Sequence, residues 1–480
     1  INNSSLEPVR LMCKEILYEF LMHIKKIFSY KEDCKMKKLG ALAFVALLSA
    51  SMVGCKKGDD NSIKILNFKP ELAESWGNLQ AAVKADLGLE LKVETAANGQ
   101  YESTLRKEVS TDESPDIFQI NGPIGYGNWS DYIADLDDTE VYKALSDASL
   151  ACKIDGKVKA IPVTEEGYGI IYNKSITDAY FKLSTKTAIE GVTKMEDVKS
   201  YSQLKAVVED RQAHKAELGL DGVFAPSGLD GSTSWRITGH TFNRALVGEL
   251  GASATATPDE LAFNCNQNYR NLIDLYAKNS TKTGGQMVSS VWEAEANAFA
   301  TKKVAMVQNG QWATADLTKG GKVANDDLRM LPLYCGLNND NVKESTQGLC
   351  IGTEAYWCIN KKSSTKKQEN AAKFLNYLFN GDGKKFAVSD LKFNSPYKGF
   401  NTKEFTPTDP LIKEVVTWMN KAGTQSVAWD FPLVPNTDAQ RADLVNSLTA
   451  YYNNDFSDAK WAELVDKTQK TWKKLAAEAK

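Results

Sequence analysis

The first part of this sequence alternates between the patterns of buried strands and amphipathic helices. IKILNF has the composition of a short buried strand, and Pro70 follows it closely. In ELAESWGNLQAAVKADLG, apolar residues recur every three or four positions, which predicts a helix with one apolar face that ends at Gly88. LELKVET, TLRKEVSTDES and SPDIFQING continue the alternation. This β-α-β-α-β order predicts an α/β fold with a mostly parallel sheet covered on both faces.

The chain length and two later segments predict a second lobe. The 426 residues from Cys55 to Lys480 are too many for one ordinary core and suit two lobes of about 200 residues each. In KVKAIPVTEEGYGIIYNKS, two β-like runs flank a polar TEEGYG, and TQGLCIGTEAYWCIN has a similar form. We interpret both as crossings between lobes. The expected lobes are residues 63–163 plus about 357–398, and about 167–352 plus 400–480.

Polar residues follow the predicted strands of the first lobe. In parallel sheets, ligands bind beyond the carboxyl ends of the strands. Residues 69–71 and 121–127 follow two such ends. We therefore expect Lys69, Glu71 and Asn121 to lie near a binding cleft.

Residues 36–55, MKKLGALAFVALLSASMVGC, contain the parts of a secretory signal peptide in order. Two lysines precede an apolar run, and small residues precede Cys55. The segment resembles the lipobox of bacterial lipoproteins, in which this cysteine is acylated and becomes the mature N-terminus. Met52 stands where leucine is usual. The apolar run is shorter than the ~20 residues of a membrane-spanning helix.

We accordingly expect a signal peptide at residues 36–54, a lipid anchor to the membrane at Cys55 and a polar tether at residues 55–62. Residues 1–35 precede Met36, the expected start of translation, and are interpreted as an upstream extension of the gene. The alternative for this stretch is an amphipathic helix at a membrane surface.

Composition and histidine content exclude several kinds of site. The formal net charge of −3 gives no basic surface for nucleic acid. His214 and His240 are the histidines beyond the signal segment, and the cysteines there form no CxxC or CxxH pattern. We expect no metal, no cofactor and no histidine-based triad. Cys335 and Cys350 can form a disulfide outside the cytoplasm, or the cysteines are buried thiols.

Four segments resemble, in order, the family 1 extracellular solute-binding proteins of ABC importers, a group that includes maltose-binding protein. They are SPDIFQING, AIPVTEEGYGIIYNK, FATKKVAMVQNGQW and AAKFLNYLF. Lys302 departs from the glycine that is usual in the third segment. The resemblance implies a periplasmic-binding-protein-like fold, in which hinge strands join two α/β lobes and ligand binds in the cleft between them. It also implies a membrane permease that accepts the closed, loaded form; we expect a monomeric binding component.

The resemblance suggests ligand contacts at several positions. Glu166 matches a carboxylate that binds sugar hydroxyls, and Trp312 matches an aromatic platform. Lys69 and Glu71 fall near a charged, hydroxyl-binding loop, and Trp429 lies where the closing segment supplies an aromatic side chain. Asn121 and Gly122 replace the charged and aromatic residues of a loop in maltose-binding protein, so the resemblance does not extend to maltose as the ligand.

Further candidates come from their positions in the sequence. Tyr168 follows Glu166 by two residues, and Asn309 begins the NGQW turn. Trp235 and Arg236 follow a Gly/Ser loop and are predicted to open a helix, with His240 about one turn further on. We expect Trp76, Trp129, Trp461 and Trp472 to be packing residues.

Two other functions stay open at this point. The same fold can bind a polyamine, a peptide or another small solute, and the adjacent Glu165 and Glu166 would suit a cation. A glycoside hydrolase needs two carboxyl groups facing one bond, whereas adjacent residues of a strand point apart. The sequence has no GxSxG, HExxH or P-loop motif. We therefore predict a carbohydrate-binding protein and not an enzyme.

Overall fold

The computed structural model describes residues 61–479, apart from residues 98–99, 227, 252–253, 255, 401 and 430–432. The upstream extension at residues 1–35, the signal peptide, the lipidation site Cys55 and all but the end of the tether lie outside the described residues. The described chain begins just before its first strand, which starts at Ser62.

The strands are β1 (Ser62–Asn67), β2 (Glu90–Thr95), β3 (Ile117–Asn121), β4 (Cys152–Ile154), β5 (Lys157–Pro162), β6 (Glu166–Asn173), β7 (Gly222–Phe224), β8 (Val304–Gly310), β9 (Leu328–Leu331), β10 (Gln347–Gly352), β11 (Ala355–Ile359) and β12 (Gln425–Val427).

The helices are α1 (Gly77–Leu87), α2 (Tyr101–Glu108), α3 (Gly122–Trp129), α4 (Glu140–Lys143), α5 (Lys174–Phe181), α6 (Tyr201–Ala213), α7 (Phe242–Leu250), α8 (Asn266–Lys278), α9 (Trp292–Ala300), α10 (Thr314–Leu317), α11 (Thr365–Asn380), α12 (Lys384–Ser389), α13 (Pro410–Met419), α14 (Thr437–Asn453) and α15 (Asp458–Glu478). A π-helical segment, Arg236–Thr241, runs directly into α7.

The strands form two separate sheets. The first has the order β2-β1-β3-β11-β5-β4, and β1 is parallel to both β2 and β3. The predicted parallel β-α-β-α-β arrangement is therefore confirmed for β1, β2 and β3. The expectation of a mostly parallel sheet is wrong, because β11, β5 and β4 extend this sheet through antiparallel pairings. The second sheet has the order β12-β10-β6-β8-β7, with β9 also paired to β6. Strand β6 is the centre of this sheet, since it is antiparallel to β8, β9 and β10 and is buried along its whole length.

The chain passes between the sheets at short connections. It leaves the first sheet at Pro162 and enters the second at Glu166, and it returns between Gly352 and Ala355. It crosses a third time after α12, because α11 packs on β1 and β11 whereas α13 packs on β9 and β10. Thr353 Oγ1 donates a hydrogen bond to the Thr164 carbonyl at 3.2 Å, so the first two crossings are tied together.

Each sheet has its own hydrophobic core. In the first lobe, Leu79 and Val83 are buried on one face of α1, Trp76 is buried directly before it, and Gly88 ends this helix with a φ of 69°. The predicted apolar face and the predicted C-terminal glycine are thus confirmed. In the second lobe, Trp461 of α15 is buried in the core as predicted.

The remaining predicted packing residues are also buried. Trp472 is fully enclosed in the core of the second lobe, and Trp129 donates a hydrogen bond from Nε1 to Glu102 at 3.0 Å. The cysteines of the described chain, which are Cys152, Cys265, Cys335, Cys350 and Cys358, are free and buried. None of the helices in this part of the chain combines the length and apolar character that spanning a membrane requires.

Candidate ligand-binding site

An ion pair joins the two lobes beside the first crossing. Lys69 follows β1 of the first sheet, and Glu166 is the first residue of β6 in the second sheet. The Lys69 Nζ atom lies 2.6 Å from Glu166 Oε1 and 3.7 Å from Glu71 Oε1. Lys69 is 7% exposed and Glu166 is 5% exposed, whereas Glu71 is open to solvent. The pair is therefore largely shielded from solvent.

The charges of this pair depend on each other. Burial acts to lower the pKa of Lys69, but the Glu166 and Glu71 carboxylates outweigh it and raise that pKa. Burial raises the pKa of Glu166, and the Lys69 ammonium opposes this rise. A contact of 2.6 Å is a charge-assisted hydrogen bond, which is stronger than one between neutral groups. Lys69 consequently keeps its proton and neutralises the carboxylate.

Two further charged residues complete what we call the charged cluster, which consists of Lys69, Glu71, Glu166, Glu354 and Arg441. Glu354 lies in the second crossing, and Arg441 lies on α14 of the second lobe. Burial raises the pKa of Glu354 to about 7; the Glu166 carboxylate adds to this rise, and Lys69 and Arg441 oppose it. Glu354 is not among the residues predicted from the sequence to contact ligand, although its segment, GTEAY, lies in a predicted crossing.

A cluster of aromatic side chains lies beside these charges in the second lobe. We call Tyr168, Trp235, His240, Trp312 and Trp429 the aromatic cluster. The rings of Tyr168 and His240 are stacked, with centroids 3.7 Å apart and planes at 3°. The Trp429 ring centroid is 5.2 Å from that of Tyr168. The fold thus brings together four aromatic residues that sequence analysis proposed for ligand contact, and it adds His240 among them.

The two tryptophans at the edge of the aromatic cluster are partly exposed. The ring centroids of Trp235 and Trp312 are 5.9 Å apart, with planes at 42°. Both rings meet His240 edge-on, at 4.9 Å and 5.6 Å. Tyr168, His240 and Trp429 are buried beneath them. The cluster therefore has a packed base and an accessible aromatic rim.

Two glycines allow these rings to lie against the main chain. A Cβ atom at Gly310 would come within 2.2 Å of the Trp312 ring, and one at Gly352 would come within 2.7 Å of Trp429 Cγ. Neither distance is compatible with a side chain larger than hydrogen. The turn formed by NGQW therefore positions Trp312, and its glycine leaves the space that the indole ring occupies.

The π-helical segment brings Trp235 and His240 together. A π-helical turn is rare and occurs often at functional sites. It begins directly after Trp235 and includes His240, and it continues into α7. The predicted helix at this position is thus confirmed, but its wider turn could not be deduced from residue spacing.

His240 is uncharged in this environment. Burial lowers its pKa well below the usual value, and the positive charges of Arg236 and Arg441 lower it further. Gln308 Nε2 lies 3.2 Å from His240 Nδ1. With the amide in this orientation Gln308 donates, so Nδ1 accepts and the ring proton is on Nε2.

Arg236 lies behind the aromatic rim. Its guanidinium forms an ion pair with Glu295 at 3.2 Å, and both residues are almost fully buried. It also lies between two rings, 4.8 Å from the Trp235 centroid and 4.2 Å from that of Trp292. The structure therefore gives Arg236 a role in holding Trp235 in position, and the partner Glu295 was not foreseen from the sequence.

The two proposed asparagines lie in different environments. Asn309 is buried on β8, and its Oδ1 accepts a hydrogen bond from the Gly310 amide at 2.9 Å. Asn121 is exposed at the carboxyl end of β3, next to the strand that leads to Lys69. Asn309 shapes the turn before Trp312, whereas Asn121 is outside both clusters.

Gln311 connects the aromatic rim to the first crossing, which the sequence analysis did not predict. Its Oε1 accepts a hydrogen bond from the Gly167 amide at 3.1 Å, and its Nε2 donates to the Glu165 carbonyl at 3.3 Å. Gln311 is buried and directly precedes Trp312.

Residues 78–414 match the family described as bacterial extracellular solute-binding protein, and this match covers more than half of the chain. The chain belongs to this family. This solute-binding protein is 21% identical over 410 residues to the multiple sugar-binding protein of Streptococcus mutans, a match that covers 79% of our chain and 87% of that protein. It is 25% identical over 173 residues to the melibiose/raffinose/stachyose-binding protein MelE of Bacillus subtilis, covering 33% of our chain and 40% of MelE.

Solved structures establish the fold of this solute-binding protein. RafE of Streptococcus pneumoniae, in its apo form, has a TM-score of 0.61 and 16% identity, and the match covers 86% of our chain and 98% of RafE. RafE in complex with raffinose has a TM-score of 0.63 at 16% identity, covering 86% and 99%. A chitin oligosaccharide binding protein has a TM-score of 0.62 at 15% identity, covering 87% and 100%. The predicted periplasmic-binding-protein-like fold with two α/β lobes is confirmed.

Proposed function

We propose that this solute-binding protein captures a mono- or oligosaccharide between its lobes and delivers it to the permease of an ABC importer. The observation that supports this most directly is the placement of the aromatic cluster beside the charged cluster at the junction of the two sheets. Glu166 and Tyr168 are two residues apart on β6, so their side chains lie on the same face of that strand.

The chemistry of a sugar suits this combination of residues. A sugar ring has apolar faces that can stack on Trp235 and Trp312, and a rim of hydroxyls that can bond to charged groups. Small-molecule sites typically combine such apolar walls with a few well-placed polar groups. The relatives named above carry sugar-binding names, which supports the same ligand class.

The charge balance favours a sugar over a polyamine. Glu166 already has an ammonium partner at 2.6 Å, so a cationic ligand would have to compete with Lys69 for the carboxylate. An uncharged polyol meets no such competition, because it can bond to both members of the pair. We therefore propose a neutral carbohydrate ligand. Binding of a polyamine in place of a sugar would contradict this choice.

We also propose that binding is reversible and that no bond of the sugar is cleaved. The proteins matched by sequence are binding proteins. Ligand contacts with both lobes would favour the closed state through differential affinity for it. We propose a monomer, held at the membrane by acylation of Cys55, whose closed form the permease accepts.

A thermal-shift screen tests the ligand class. We would compare raffinose, melibiose, stachyose, mannobiose, a chitin oligosaccharide and acarbose with spermidine. A ligand at 100 times its Kd stabilises the native state by about 2.7 kcal/mol. We expect at least one sugar, and not spermidine, to raise the unfolding temperature. Stabilisation by spermidine alone would replace the sugar with a polyamine, and no response to any sugar would reject the proposal.

A further inference from the structure

Glu354 occupies a restricted position between the lobes. It is one of two residues that connect β10 of the second sheet to β11 of the first. The other is Thr353, which is hydrogen-bonded to Thr164 of the first crossing. The position of Glu354 relative to Glu166 is therefore set by both crossings, and its side chain is still partly open to solvent.

Charged groups from several elements surround Glu354. The carboxylates of Glu166 and Glu71 repel its negative form, whereas Lys69 and Arg441 attract it. Glu354 and Arg441 lie within electrostatic range but form no direct ion pair. In addition, the Arg441 Nε atom is buried, and no hydrogen-bond partner for it is found among the described residues.

Arg441 also connects the charged cluster to the aromatic cluster. Its charge lowers the pKa of His240 and opposes the rise in the pKa of Glu354, so it acts electrostatically on both groups. Gly352, against which Trp429 packs, lies two residues before Glu354. Glu354 is therefore close in the chain to the packed base of the aromatic cluster.

We propose that Glu354 and Arg441 are additional ligand-binding residues of this site. Sugar affinity then depends on pH through the protonation of Glu354. The inference rests on the proposed function, since it requires a sugar in the junction. Arg441 donates a hydrogen bond to a ligand hydroxyl through Nε, for which the described part of the chain offers no partner. Glu354 donates one when it is protonated and accepts one when it is ionised.

The sign of the pH dependence follows from burial. Enclosure already raises the pKa of Glu354 to about 7 in the unliganded protein. A sugar that displaces water from around this carboxyl disfavours its charged form further, so binding takes up a proton. Affinity then increases as the pH falls from above 8 towards 6. Each unit by which binding raises this pKa changes Kd by up to about tenfold.

Calorimetric titration with raffinose, or with the panel sugar that binds in its place, tests the proposal at pH 6.0, 7.0 and 8.5. The key variant is Glu354→Gln, and the matched control is Glu414→Gln. Glu414 lies on α13 outside both clusters, accepts a hydrogen bond from the Met330 amide at 3.1 Å and has a pKa that burial also raises. A third variant, Arg441→Met, tests the proposed donor.

We expect wild type and Glu414→Gln to bind several-fold more tightly at pH 6.0 than at pH 8.5, and Glu354→Gln to lose this difference. Arg441→Met should weaken binding at every pH. Cooperative thermal unfolding of each variant checks that it is folded. If a sugar binds but Glu354→Gln keeps the wild-type pH profile, or if wild type binds more weakly in acid, the inference is wrong. If no sugar binds to wild type, the proposed function and this inference fail together.

Discussion

The ammonium of Lys69 and the carboxylate of Glu166 form a 2.6 Å ion pair between residues that belong to different sheets. Removing one partner of a buried pair typically costs roughly 3–5 kcal/mol, because the other charge stays buried and uncompensated. We expect Lys69→Met to lower the free energy of unfolding by an amount near this range, as measured by urea denaturation.

The double variant Lys69→Met/Glu166→Gln is the control for this prediction. It removes both charges, so we expect it to recover much of the loss. Lys143→Met, which breaks the exposed pair with Glu140, should have no measurable effect. Equal destabilisation by the single and double variants would show that packing, and not charge pairing, is lost.

The stability of the unliganded protein should depend on Glu354. Its folded pKa of about 7 is above the ordinary value of 4.5, so the folded state holds a proton that the unfolded state releases. The contribution is complete below pH 4.5 and is lost as the pH rises through 7. We expect the free energy of unfolding of Glu354→Gln, relative to that of wild type, to increase by about 1–3 kcal/mol from pH 5 to pH 8. Denaturation of both proteins at each pH measures this change. A constant difference between the two proteins would contradict this.

His240 and His214 should titrate differently. Burial and two arginines hold the pKa of His240 well below its usual value, whereas hydrogen bonding to the Asp210 backbone raises that of His214. In ¹⁵N-histidine spectra from pH 5.5 to 8, we expect the His214 signals to shift and the His240 signals to keep a neutral pattern. Titration of His240 in this range would mean that its stacked position is open to water.

A neutral His240 also predicts acid sensitivity. The unfolded chain protonates this residue below its ordinary pKa of 6.5, and the folded chain does not. Its contribution to stability is therefore present above pH 6.5 and is lost as the pH falls. We expect His240→Phe to lose less stability than wild type between pH 7.5 and pH 5.5, as measured by thermal unfolding.

Trp312 should contribute directly to sugar binding. We expect Trp312→Ala to weaken the binding of raffinose, or of the panel sugar that binds in its place, by about 5- to 150-fold, because it removes a stacking surface worth about 1–3 kcal/mol. Trp418→Ala is the matched control, since Trp418 is also partly buried in the second lobe but bonds to the Met330 carbonyl outside the cluster. Calorimetry should show unchanged affinity for the control. A comparable loss of affinity in both variants would show that Trp312 is not a specific stacking platform for the sugar.

Gly310→Ala tests the same surface without removing a ring. The added methyl would come within 2.2 Å of the Trp312 ring and must displace it. We expect reduced affinity for the same sugar and a changed near-ultraviolet circular dichroism signal. Gly77→Ala, where a Cβ meets nothing within 4 Å, should leave both measurements unchanged.

The features that follow from local pattern could be predicted from the sequence. The apolar spacing of α1 and the alternating strands are properties of short segments, and each is confirmed. The resemblance also led to Glu166 and Trp312, which lie at the junction where the two sheets meet. These predictions needed no knowledge of which distant residues come into contact.

Features that depend on distant contacts could not be predicted in the same way. The partner of Arg236 is Glu295, on a separate helix, and the spacing of the sequence contains no sign of it. The stacking of His240 on Tyr168 requires both a π-helical turn and the central position of β6. Glu354 has an unusual environment because charged residues of three other segments act on it, and its own neighbours in the sequence are unremarkable in charge.

The two hydrogen bonds of Gln311 have a mechanical consequence. They attach the residue next to Trp312 to the backbone on both sides of Glu166, at the point where the chain changes sheets. We therefore expect rotation of the backbone there to shift Gln311 and, through it, the adjacent Trp312. On this expectation, the orientation of one indole ring depends on the angle between the lobes.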